Sequence, residues 1–80
     1  MTNPPQNVSE RYISNLLRTG ANSDFILHYI TKRESRVDNL VVGTYYDASI
    51  YHGGDNQAAA GATPSQAVRR AMEKFGVTFK

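Results

Sequence analysis

FILHYITKRESR, residues 25–36, is the stretch on which the fold turns. Phe25, Leu27, Tyr29 and Thr31 alternate with Ile26, His28 and Ile30, and β-branched and aromatic side chains are dense. That is the composition of a strand with apolar groups on both faces at its start. The rival reading makes Asp24 an N-cap and puts Ile26, Tyr29, Ile30 and Arg33 on one face of a helix. The strand is the preferred reading. It makes the chain a sheet protein flanked by helices rather than a helical bundle.

Working outward, "SRVDN" supplies a reversal and "LVVGTYYDASIY" is extended. Leu40, Val42, Thr44, Tyr46, Ala48 and Ile50 would share one face; Val41, Tyr45, Ser49 and Tyr51 would share the other. Such a run is long for one strand, so Gly43 is a candidate bulge and Asp47 a candidate bend or turn that splits it. "HGGDNQAAAGA" reads as a loop of glycine and small residues.

Helices bracket this sheet. Asn7 with Glu10 three residues on is a capping signal, and Val8, Tyr12, Ile13, Leu16 and Leu17 repeat on one helical face. Gly20 stands where a C-terminal cap takes positive φ, so the first helix is read over 8–19. Near the C-terminus, Thr63, Pro64 and Gln66 form an N-terminal signature. Ala67, Val68, Ala71, Met72 and Phe75 line the inner face, Gly76 stops the helix, and "VTFK" leaves as an extended tail. The expected fold is α+β, in the order α-β-β-(β)-α: an antiparallel sheet with two helices packed on one face. Residues 1–6, with Pro4 and Pro5, are expected to be a flexible lead to a single domain over 7–80.

Eighty residues, 40% of them apolar, allow one domain with a thin core. There is no cysteine, hence no disulfide and no thiolate zinc site. A cysteine-free chain suits a reducing compartment, and the expected location is cytoplasmic. No apolar run reaches membrane-spanning length, and the N-terminus reads as neither charged nor apolar enough for a secretory signal. The net charge is +2, from nine basic and seven acidic residues that are mostly interleaved.

Catalytic chemistry finds little support. His28 and His52 with Asp47 and Asp55 match no metal-ligand spacing. Ser49, Ser65, His52 and Asp55 carry no recognisable nucleophile–base pattern. The expectation is a non-enzyme without cofactor or metal. "HGGDN" could present an anion-binding nest but lacks a phosphate loop's lysine and spacing, so it is read as a connector.

The residues left for function are cations and tyrosines. Lys32, Arg33 and Arg36 gather near a sheet end, and Arg69, Arg70 and Lys74 lie on the outer face of the last helix. These six are the candidate nucleic-acid contacts. Tyr45, Tyr46 and Tyr51, with Arg33 and Arg36, are the candidate protein-binding patch, because rigid aromatics and arginines anchor interfaces. Homodimerisation through a sheet edge is compatible with either, since little guards the tyrosine strand beyond Asp47.

The element order, with a small-residue loop opening the last helix, resembles the double-stranded-RNA-binding domain. That family grips phosphate with a lysine pair at the start of this helix; here the positions read Thr63, Pro64, Ser65 and Gln66. "GATPSQAVRRAM" is also similar to the strand-loop-helix join of HicB-type antitoxins. By type, a compact cysteine-free domain without catalytic motifs resembles the small accessory proteins of bacteriophages, anti-CRISPR inhibitors among them. That resemblance implies a binding protein acting in the host cytoplasm on a host protein or ribonucleoprotein complex. Nucleic-acid binding is the alternative.

Overall fold

A computed structural model describes residues 3–80. Its elements run α1 (Glu10–Thr19), β1 (Ile26–Val37), β2 (Leu40–His52), β3 (Asp55–Gly61) and α2 (Pro64–Lys74). The three strands form one antiparallel sheet in the order β1-β2-β3. The fold is therefore α+β with the order α-β-β-β-α. Residues 26–36 are strand, as their alternation and β-branched content favour. What decides against the helix is pairing: β1 lies against β2 from Ile26↔Tyr51 to Val37↔Leu40.

Four details differ from the sequence reading. The reversal is not spread over residues 35–39; β1 runs to Val37, and Asp38 and Asn39 alone make the turn, with φ of 51° and 67°. Two successive positive φ values are the geometry of a tight hairpin turn that matches strand twist, and Asp and Asn tolerate it. Second, β2 does not break at Asp47. It stays continuous and instead carries a bulge beside Gly43, where Val42 has no partner between the pairs Ser35↔Gly43 and Arg36↔Val41. The extra residue flips the phase of the strand end. Leu40 thus joins the face of Tyr45 rather than that of Tyr46.

Third, the supposed loop is a hairpin. Gly53 and Gly54, with φ of 59° and 89°, turn the chain, and Asp55–Gly61 pairs along β2 from His52↔Asp55 to Tyr46↔Gly61. Fourth, the first helix begins at Glu10 with Ser9 at the cap, and no side chain caps it. Asn7 is drawn away: its N–H donates to Thr78 Oγ1 at 2.8 Å. The Val8 N–H donates to the Thr78 carbonyl at 3.0 Å, and the Lys80 N–H to the Val8 carbonyl at 3.1 Å. Pairing with the C-terminal tail outweighs an isolated capping box. Gln6 also donates to the Gly76 carbonyl at 3.0 Å, so the end of the N-terminal lead lies against the tail.

The last helix starts as its sequence specifies. Thr63 Oγ1 accepts from the Gln66 N–H at 3.1 Å, and Gln66 Oε1 accepts from the Ala62 N–H at 2.6 Å. The core lies on one side of the sheet. Ile13 and Leu16 of α1, with Ala67, Val68, Ala71 and Met72 of α2, close over Ala48 and Ile50 of β2, and Phe25 and Val77 complete the cluster. Phe25 is 1% exposed, with its ring centroid 4.9 Å from that of His52 and 5.7 Å from that of Phe75.

The turn into β1 holds a titratable group. Asn22 Oδ1 accepts from the N–H groups of Asp24 and Phe25 at 2.8 and 2.7 Å, and this turn presents the Asp24 carboxylate to the Tyr12 hydroxyl, which donates to it at 2.7 Å. Burial first, then this bond and the carboxylate's charge, push the Tyr12 pKa above the ordinary value of 10.0. The folded state thus holds the phenol proton more tightly than the unfolded chain. The resulting stability is whole below that ordinary value and lost as pH rises past it. Thermal melts across alkaline pH should show the native chain losing stability above about pH 10, and Tyr12→Phe losing less over the same interval. At neutral pH that variant should be about 1 kcal/mol less stable, through the missing hydrogen bond.

Candidate protein-docking face

The helices cover one side of the sheet and only part of its length. β3 reaches along β2 no farther than Tyr46, and residues 31–44 are all exposed. Beyond Tyr46 the β1–β2 hairpin is therefore a two-stranded arm, projecting roughly 20 Å at about 3.3 Å per residue. It accounts for a molecule 46 Å long but only 25 by 21 Å across. Its end is apolar: Val37, Leu40, Val41 and Val42 are each at least half exposed.

Pairing assigns every side chain to a face, because directly opposed residues project to the same side. The open face carries Ile26 beside Tyr51, Tyr29 beside Ser49, Thr31 beside Asp47, Arg33 beside Tyr45 and Val37 beside Leu40. Tyr51 is 40% exposed and Ile26 is 51% exposed. The structure thus brings Arg33, Tyr45 and Tyr51 together on this face. Tyr46 is on the other side, opposite Lys32 and Gly61, and packs against the core. Arg36, opposite Val41, also projects to the helix side of the arm.

Ile26, Tyr29, Val37 and Leu40 belong to the open face and were not singled out from sequence. Simple alternation separates Ile26 from Tyr29. A bulge at His28, between the pairs Leu27↔Ile50 and Tyr29↔Ser49, puts both on one side. Nothing in the local sequence marks that bulge. The tip residues were legible as apolar, but their isolation from the core follows only from the short reach of β3.

The cations are largely engaged. Arg33 Nε lies 3.4 Å from Asp47 Oδ2, and Arg36 Nη2 lies 2.9 Å from Glu34 Oε2. Arg69 Nη1 lies 2.6 Å from Glu10 Oε1, and its guanidinium sits 4.6 Å from the centre of the Phe79 ring. Arg70 donates to the Ala60 carbonyl at 3.0 Å and Lys74 donates to that of Ala58. The last two cover the outer backbone of β3, a structural task that closes a sheet edge. Among the described residues, Lys32 is the one member of the six candidate nucleic-acid contacts with no ion pair or hydrogen bond.

The groups considered for chemistry are dispersed. His52 is buried, and its Nδ1–H donates to the Asp24 carbonyl at 2.7 Å, under Phe25 and Phe75. Ser49 sits on the opposite face of the sheet from His52, and His28 is exposed beside Tyr29. Among the described residues no three His, Asp or Glu side chains converge as metal ligands would. A shallow groove of about 350 Å³ lies beside the start of α2, with Arg69 and Arg70 facing Glu10 and Glu73. Its charges are balanced. No helix among the described residues is long and apolar enough to cross a membrane.

No protein-family model, curated protein or solved structure matches the chain. The face is defined by its own chemistry alone.

Proposed function

We propose that the chain is a non-enzymatic binding protein that docks on a protein partner through its open sheet face and the arm that extends it. It fits the bacteriophage accessory type, a small domain that engages and inhibits a host protein or ribonucleoprotein complex in the cytoplasm. The observation that carries this reading is the make-up of the open face: Ile26, Tyr29 and Tyr51 are exposed at one end, Val37 and Leu40 at the other, with Tyr45 and Arg33 between them. Exposed apolar and aromatic clusters with an arginine between them are the kind of surface that marks an interaction site. Tyrosine and arginine are the side chains that carry most binding energy when such a patch is buried.

Nucleic-acid binding remains the alternative, through Lys32, Arg33 and Arg36 on the arm and Arg69, Arg70 and Lys74 on α2. The engagement of five of these cations within the fold weighs against it, because part of each one's donor capacity and charge is already used. Two measurements separate the readings. In capture from bacterial lysate, Tyr45→Ser with Tyr51→Ser should reduce partner recovery at least about ten-fold, two hot-spot side chains being lost. Arg11→Ala on the helix side should leave it unchanged. Unaltered recovery by the tyrosine variant would refute docking at this face. Fluorescence anisotropy with labelled RNA and DNA across a salt series should show no binding. Micromolar affinity that falls steeply with salt would favour the alternative.

A further inference from the structure

We propose that two copies of this chain join through the outer edge of β1, antiparallel, about a two-fold axis at Arg33. The pairing makes one continuous sheet and leaves the open face available, so it stands apart from the reading above.

The two outer edges of the sheet are treated differently. That of β3 is covered by Arg70 and Lys74, which donate to the carbonyls of Ala60 and Ala58. That of β1 is covered only at its start, by the Ala21↔Ile26 bridge and the Leu27 N–H bond to the Gly20 carbonyl. From Ile30 to the turn, no element among the described residues pairs with it. Backbone parity identifies the free groups. The Ala58 carbonyl points away from β2, so the opposed Ser49 bonds toward β1, and Tyr29, opposite Ser49, bonds back to it. Alternation from Tyr29 then turns the N–H and C=O of Ile30, Lys32, Glu34 and Arg36 outward. An unpaired row of this kind is a template for another strand.

Charge selects the register. With the axis at Arg33, Lys32 faces Glu34 of the second copy, Glu34 faces its Lys32, and Ile30 faces its Arg36. Every outward residue then meets another, and each pair can close both of its backbone hydrogen bonds. Moving the axis one residue sets Glu34 against Glu34 or Lys32 against Lys32, and like charges directly opposed are destabilising. An axis at Ser35 also pairs Glu34 with Arg36, but it runs the strand into the Asp38–Asn39 turn and uses less of the edge. On the open face, the axis at Arg33 sets exposed Tyr29 against exposed Val37 of the second copy. At the axis the two Arg33 side chains also oppose each other, a single like-charge contact that each one's own Asp47 offsets. The interface is self-complementary, as a two-fold contact must be.

Sedimentation of the full chain over a concentration series tests this. A species of twice the 8.9 kDa chain mass is expected. Lys32→Glu alone and Glu34→Lys alone each oppose like charges and should weaken association by about ten-fold or more. An equimolar mixture of the two variants restores both attractive pairs and should associate as a heterodimer as well as the native chain does. Recovery on mixing also shows that both variants are folded. A native chain that stays monomeric at every concentration would overturn the proposal. So would single variants that associate undiminished, or a mixture that stays monomeric.

Discussion

Replacing Gly61 with alanine is expected to lower stability by about 2–3 kcal/mol, a large effect for one methyl group. Gly61 ends β3 directly beneath the first turn of α2. A Cβ there would stand 2.7 Å from the Ala67 amide nitrogen and 2.9 Å from both the carbonyl carbon and Cβ of Gln66. Two of these atoms are backbone in a capped helical turn, so no rotamer change relieves the clash. Either α2 lifts from the sheet or β3 slips from Tyr46. Since α2 supplies Ala67, Val68, Ala71 and Met72 to the core, lifting it loosens much of the apolar packing. The melting temperature should fall by about 10–20 °C in a domain of this size. Gly43→Ala is the control: its Cβ meets nothing within 4 Å, and it should shift stability by no more than about 0.5 kcal/mol. Equal effects at the two glycines would show that close approach is not what Gly61 provides.

Phe25→Ala should cost more, about 3–5 kcal/mol. The ring is almost wholly buried between the sheet and both helices, touching Tyr12 edge-on at 6.3 Å as well as His52 and Phe75. Its removal leaves a cavity whose walls are other rings, and rings cannot collapse into it without leaving their own contacts. Total stabilities of small domains are about 5–15 kcal/mol, so this variant would be marginal at ambient temperature. Denaturant melts should show the midpoint falling sharply. Ile26→Ala, one residue along but on the open face, should change stability by less than about 1 kcal/mol. A similar loss at both positions would mean that the open face contributes to the core.

The helices and the strand assignment were legible because local chemistry and tertiary packing agree there. Thr63, Pro64 and Gln66 start α2 on their own, and Gly20, at φ 80°, ends α1. The third strand was harder, since Asn56, Gln57 and three alanines have little intrinsic preference for extended structure. Its true signal was Gly53-Gly54, a two-residue hairpin turn between extended runs. Of these alanines only Ala59, opposite Ala48, lies on the helix side, where its small side chain packs against the core. Asn7 misled because its capping pattern with Glu10 is local, whereas its partner Thr78 is at the other end of the chain. The docking face was partly legible: Tyr45, Tyr51 and Arg33 fall together as alternation implies. Tyr46 does not, and Ile26 and Tyr29 join only through a bulge that no local residue announces.

Location of the partner contact is the most direct test of docking. A photo-crosslinking residue placed at Tyr51 on the open face, and separately at Glu73 on α2, would be activated in bacterial lysate. A discrete protein adduct is expected from position 51 and none from position 73. An adduct from position 73 with none from position 51 would place the partner on the helix side and contradict docking at the open face.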